Sequence, residues 1–133
     1  MIIYKKPFIE ISYIEVEKLV EVSWRGYVAG EKFRAAMLQY GDVLQQYDVQ
    51  YWLGDYREAS VVRIADQEWM RSEWGACFFP HVHKIQKMAR INSYDISARI
   101  SAENIFKDID FTQLPFTFRQ FEDYGPARSW LVG

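Results

Sequence analysis

A few residues in this 133-residue chain are of types that could do chemistry. His81 and His83 form an H-x-H pair. On a strand that spacing puts both imidazoles on one side, as zinc sites require. Following Pro80 the chain should instead turn helically over 81–85, so the two rings diverge. No Cys or carboxylate nearby completes a ligand set. Cys77 falls in line with Met70, Trp74 and Phe78 on one helical stripe, which predicts a buried, inert thiol. No His–acid pair stands at a spacing that would activate it. The glycines never form a dinucleotide fingerprint or P-loop. The sequence thus predicts no metal, no cofactor and no catalytic residue. A chelator should leave the melting temperature unchanged, and a clear drop would assign His81 and His83 to a metal.

The remaining candidates suit contact rather than catalysis. Asp55 and Arg57 end a strand, two apart and therefore on one side, where a charged pair either orders the following loop or meets a ligand. The loop Glu58–Ala65 carries Ser60, Val61, Val62 and Arg63. Loops on rigid scaffolds often bind, although Val61 and Ile64 could simply tuck beneath the sheet. Asp66 suits a helix N-terminus, where its oxygen would accept from free backbone N–H groups. Trp69 and Trp74 are five apart, so an ordinary helix aims one at the sheet and leaves the other at a flank. The set predicted to touch a ligand or partner is Asp55, Arg57, Ser60, Arg63, Asp66 and Trp69.

These residues need elements to position them. Phe8–Ile14 alternates apolar and polar, as does the segment containing Val20, Val22 and Trp24, and the short gap between them predicts an antiparallel hairpin. Gly26 and Gly30 bracket a turn. Phe33, Met37, Tyr40, Leu44 and Tyr47 then fall at helical spacing, with Gly41 weakening that helix by about 1 kcal/mol relative to Ala. YWLGD reads as a buried strand and Asp66 opens a helix that Pro80 stops or kinks. KMARINS reads as a strand. Ala102, Ile105, Phe106 and Ile109 mark a helix with Ser101 as a candidate cap. PFTFRQF is a strand begun by Pro115, and Asp123 caps a last helix ending in Trp130 and Leu131. The order β-β-α-β-α-β-α-β-α predicts one α/β domain over residues 1–133. An N-terminal antiparallel hairpin and parallel strands form a single mixed sheet with packed helices.

Two segments carry a resemblance. SWRGYVAGEKFRAAM (Ser23–Met37) and YWLGDYREASVVRIADQEWM (Tyr51–Met70) resemble small bacterial proteins grouped with STAS domains, the fold of the sporulation anti-sigma-factor antagonist. KMARINSYDISARIS fits the following strand and helix, and FEDYGPARSWL fits the last helix, so nearly the whole chain is covered. The resemblance implies a non-enzymatic module that binds a partner protein or a small ligand. In the anti-sigma antagonists a Ser or Thr after the Asp at the helix start is phosphorylated. The matching place here is Asp66-Gln67, and Gln67 cannot take phosphate; Ser60 lies upstream in the loop.

Composition narrows the rest. The formal net charge is −2 with scattered Lys and Arg, which excludes the basic stripe of a nucleic-acid binder. A single cysteine excludes an internal disulfide, and the start MIIYKKPFIE has no signal-peptide pattern, so a reducing cytoplasm is the expected location. No window reaches the roughly 20 apolar residues of a membrane span. Aromatic residues make up 17% of the chain, enough to fill a core and also line a pocket or a homodimer contact. Two functions follow. One is a protein-interaction module without a phosphorylation switch. The other is a carrier of a small apolar, lipid-like ligand, for which a cavity of at least ~300 Å³ lined by Phe and Trp would be the mark.

Overall fold

A computed structural model describes all 133 residues. Six strands, β1 (Ile2–Lys6), β2 (Ile9–Ile14), β3 (Leu19–Gly26), β4 (Tyr51–Ala59), β5 (Lys87–Ile91) and β6 (Thr117–Phe121), form one sheet in sequential order. β1, β2 and β3 run antiparallel as a meander, and β3 to β6 pair in parallel. The mixed α/β sheet expected from the sequence is present, with one strand more than the periodicity indicated. β1 is an edge strand that ends in Lys5 and Lys6, and its exposed residues break the alternation on which strand recognition depends. Lysines at an edge also discourage pairing with another chain.

The strands' alternation assigns each face. On β3, Val20, Val22 and Trp24 point to one side and Leu19 to the other. α1 (Glu31–Gln46) covers the first side through Phe33, Ala36, Met37 and Tyr40. Also on that side lie a long helical rod starting at Ile64 and α4 (Ile96–Phe106), through Met70, Phe78 and Ile105. α5 (Tyr124–Val132) alone covers the second, setting Ala127 and Leu131 on Leu19, Leu53, Ala89 and Ile91. Tyr124 and Arg128 of α5 also bond Glu21 of β3.

The rod is α2 (Ile64–Trp69), a π turn (Met70–Trp74) and α3 (Gly75–Phe78), followed by a single 3₁₀ turn, Phe79–His81. A π turn holds one residue more than an α turn, which corrects two expectations. Cys77 rotates off the buried stripe and is exposed, while Phe78 takes the inner position. Trp69 and Trp74 no longer diverge, and both pack half-buried on the main core. The helical piece expected over 81–85 is only that 3₁₀ turn, leaving His83 exposed. Gly41 also has a positive role. A Cβ there would stand 3.3 Å from the Cys77 carbonyl oxygen, so glycine lets α3 approach α1.

The caps differ from expectation. Asp95, not Ser101, caps α4 by accepting from the Ser97 N–H. Ser101 is buried inside that helix. Asp123 does stand at the start of α5, without a side-chain cap bond. Asp66 lies inside α2 rather than at its cap, and its side chain is wholly buried. It accepts from the Gly30 N–H at 2.9 Å, from Arg34 Nε at 3.1 Å and from Arg63 Nε at 2.8 Å. The start of α1 is thereby fastened to the start of α2. Burial disfavours the Asp66 carboxylate, but the Gly30 N–H and the two guanidiniums outweigh it and hold the carboxyl below its ordinary value.

A carboxyl whose folded value is depressed contributes stability above the unfolded value, about 4, and loses it as pH falls through the folded value. Asp66→Asn should cost roughly 2–3 kcal/mol near neutral pH, because charge-assisted bonds to Gly30, Arg34 and Arg63 are weakened. The melting-temperature gap between wild type and variant should narrow below about pH 4; a gap that does not depend on pH would deny the carboxylate this role.

Candidate ligand cavity

The helices do not close fully onto the first face of the sheet. A cavity of about 350 Å³ lies between β3, β4 and β5 on one side and the helical rod and α4 on the other. Its lining is mostly hydrophobic. Trp24 and Trp52 come from the strands, Trp74 and Phe78 from the rod, and Ala98 and Ala102 from α4. Phe111, Phe116 and Phe118 line it from the β6 side. Small side chains on α4 against large rings opposite are what leave this space open.

The central strand supplies the polar part. Trp52, Gly54 and Tyr56 alternate onto the cavity side of β4. A Cβ on Gly54 would stand 2.6 Å from Tyr56 Cε2, so the Tyr56 ring lies back over Gly54 only because no side chain is there. The Tyr56 hydroxyl meets that of Tyr40 at 3.0 Å, and Trp24 Nε1 donates to Tyr40 at 2.8 Å. Burial pushes the Tyr40 phenol well above its ordinary value. Arg90, on neighbouring β5, lays its guanidinium 3.8 Å from the Tyr56 ring centre and 5.3 Å from that of Phe106. Such stacking stabilises a cation where water is scarce.

The residues predicted to form one rim are divided by the fold. Asp55 and Arg57 make a forked pair, with Arg57 Nε 3.0 Å from Oδ1 and Nη2 2.7 Å from Oδ2. They face α5, with Arg57 over the Tyr124 ring, on the side of the sheet away from the cavity. Arg63 and Asp66 belong to the fastening described above, and the complete burial of Asp66 removes it from any contact surface. Trp69 is held edge-on to Phe33 and beneath Arg34. Of the set only Ser60 lines the cavity. Val61 and Val62 line it as well, whereas Ile64 points outward and is exposed.

Several residues of the cavity wall carried no sequence motif. The Val62 N–H donates to Ser101 Oγ, tying the β4–α2 loop to α4. Ser93 Oγ donates to the Ala59 carbonyl, tying the ends of β4 and β5. Arg90 did leave a trace in KMARI, where Ala89 and Ile91 fill the α5 side and Met88 and Arg90 must take the other.

Comparison with solved structures supports the architecture. The chain aligns with an uncharacterised protein of the DUF3478 family with a SpoIIAA-like fold from Shewanella loihica PV-4, at a TM-score of 0.60 and 16% identity, over 97% of this chain and 98% of that one. No family model and no curated protein matches the sequence. The fold expected from the STAS resemblance is therefore shown, and at that identity the likeness speaks of the fold alone.

The hydroxyl chain makes a directional prediction. Tyr40→Phe leaves the buried Trp24 N–H without an acceptor and should cost roughly 1–3 kcal/mol. Tyr56→Phe removes only the end of the chain and should cost less. Chemical denaturation of the two variants compares them, and equal losses would contradict the order Trp24–Tyr40–Tyr56.

Proposed function

We propose that this SpoIIAA-like domain is a non-catalytic binding module that holds a small apolar molecule between its sheet and its helices. The cavity carries the reading: about 350 Å³ walled by Trp, Phe, Met and Ala, within the range of small-molecule sites. A well-packed interior leaves few voids larger than a water molecule, and apolar voids cost stability. A space this large, bordered by serine ties and an ordered hydroxyl chain, fits an occupant better than a packing fault.

The polar groups at the cavity also favour binding over turnover. The carboxylate of Asp108 is the one acid on the lining, and it is exposed and paired with Arg71. A general base or nucleophile would have to come from elsewhere.

A second reading, recognition of a partner protein or a second copy of the chain, draws on the carboxyl end of the sheet. Tyr27, Ile64, Tyr94 and Ile96 are all exposed in or just after the loops that leave β3, β4 and β5. Apolar side chains gathered at a loop end can serve an interface.

The two readings separate on one experiment. Decanol should produce a saturable change in tryptophan emission in the wild type, because Trp24, Trp52 and Trp74 border the space. Ala102→Phe should fill the cavity, abolish that change and leave the fold intact. An undiminished response in Ala102→Phe, or none in the wild type, would remove the cavity reading and leave the loop-end contact.

A further inference from the structure

We propose that the cavity selects an apolar molecule bearing a single carboxylate, and that the Arg90 guanidinium with the Tyr56 hydroxyl receives it. This rests on the cavity reading and names the chemistry of its occupant.

Hydrogen-bond donors outnumber acceptors around Arg90. Arg90 carries five N–H donors and no acceptor. Every ion pair in the protein goes to another cation, and no Asp or Glu stands within pairing distance of Arg90. Its neighbours are rings and phenols: Tyr56 and Phe106 against its plane, with Tyr40 close by. Protein surrounds the guanidinium so fully that burial lowers its proton affinity from the ordinary value. Arg90 as a whole residue is nevertheless only half-buried, and the open space it borders is the cavity. An enclosed cation without a counter-ion is costly unless one arrives.

The hydroxyl chain adds a second free donor. Trp24 Nε1 can only donate, so the Tyr40 oxygen receives it. One hydrogen bond joins Tyr40 to Tyr56, and either hydroxyl can be its donor. Two phenolic protons and one bond leave one proton over. With Tyr40 donating, that proton belongs to Tyr56, whose ring lies against the Arg90 guanidinium and which lines the cavity. The polar patch thus has donors to spare, with the Tyr56 oxygen as the acceptor that meets Arg90 and no carboxylate.

Charge and shape narrow the class. A guanidinium matches a carboxylate in two parallel N–H···O bonds. One cation neutralises one anion, whereas a phosphate monoester near its second ionisation brings nearly two negative charges into an apolar enclosure. The remaining walls, Trp52, Phe78, Ala98 and Ala102 among them, are mostly apolar, and the other guanidinium on the lining, Arg71, is already paired with Asp108.

The test compares decanoate, decanol, decylamine and decyl phosphate by calorimetry at about pH 8, where the acid is ionised. Decanoate should bind at least about tenfold tighter than decanol, a difference near 1.4 kcal/mol, and decylamine should not bind. Arg90→Met, which keeps much of the side chain's length, should erase the preference for decanoate while decanol still binds. Tyr56→Phe should reduce the preference severalfold. If decanol binds as tightly as decanoate in the wild type, the anion site is refuted and the apolar cavity stands. If decyl phosphate binds tightest, the carboxylate assignment is refuted. If none of the four binds, both the anion site and the cavity reading fall. The wild-type comparison decides the matter even if Arg90→Met does not fold.

Discussion

A guanidinium held against aromatic rings without a carboxylate governs the inner face of this sheet. Arg90 sits on β5 with the Tyr56 ring 3.8 Å away, and that ring can lie where it does because Gly54 has no side chain. Tyr56 in turn joins Tyr40 and Trp24. Four side chains on three neighbouring strands and one helix are therefore set by a single stacking arrangement. A carboxylate placed beside Arg90 would satisfy the charge and close the space. Its absence keeps a donor-rich patch at the edge of a mostly apolar cavity.

The surrounding architecture keeps that space from collapsing. The Asp66 fastening ties α1 to α2, and Ser101 ties the loop before α2 to α4. The π turn over Met70–Trp74 then swings Trp74 and Phe78 inward as a stacked pair 4.5 Å apart, with Trp74 Nε1 donating to the Met37 carbonyl. π turns commonly accompany functional sites. Here the extra residue sets the cavity wall and sends Cys77 outward. On the opposite face, α5 packs closely on small and branched residues, so the sheet is solid on one side and hollow on the other.

Much of this was legible in the chain. Alternation in β2 and β3, the helical period of α1 and the break at Pro80 each follow from one local rule, and the order of elements follows from them. The excess of rings and the cavity criterion also lay in the composition. Site residues were harder to read. Asp66 looked like a cap because its neighbours in sequence allow that role, whereas its actual partners, Gly30 and Arg34, come from another helix start. Asp55 and Arg57 were legible as a pair, but not the face they take, because β4 is buried on both sides. The π turn has no sequence mark among ordinary helix formers, so the positions of Cys77 and Trp74 could not be read. Arg90 was visible only as a charge on the inward side of a short strand, beside residues that give no other sign of a site.

The proposed binding site is the partly open space between sheet and helices, with Arg90 at its charged end. A crystal structure of the wild-type protein grown with decanoate tests it most directly. Density should extend through the cavity, with the carboxylate against the Arg90 guanidinium and the chain between Trp52 and α4. A cavity closed by its own side chains, with Arg90 paired to a protein carboxylate, would contradict it.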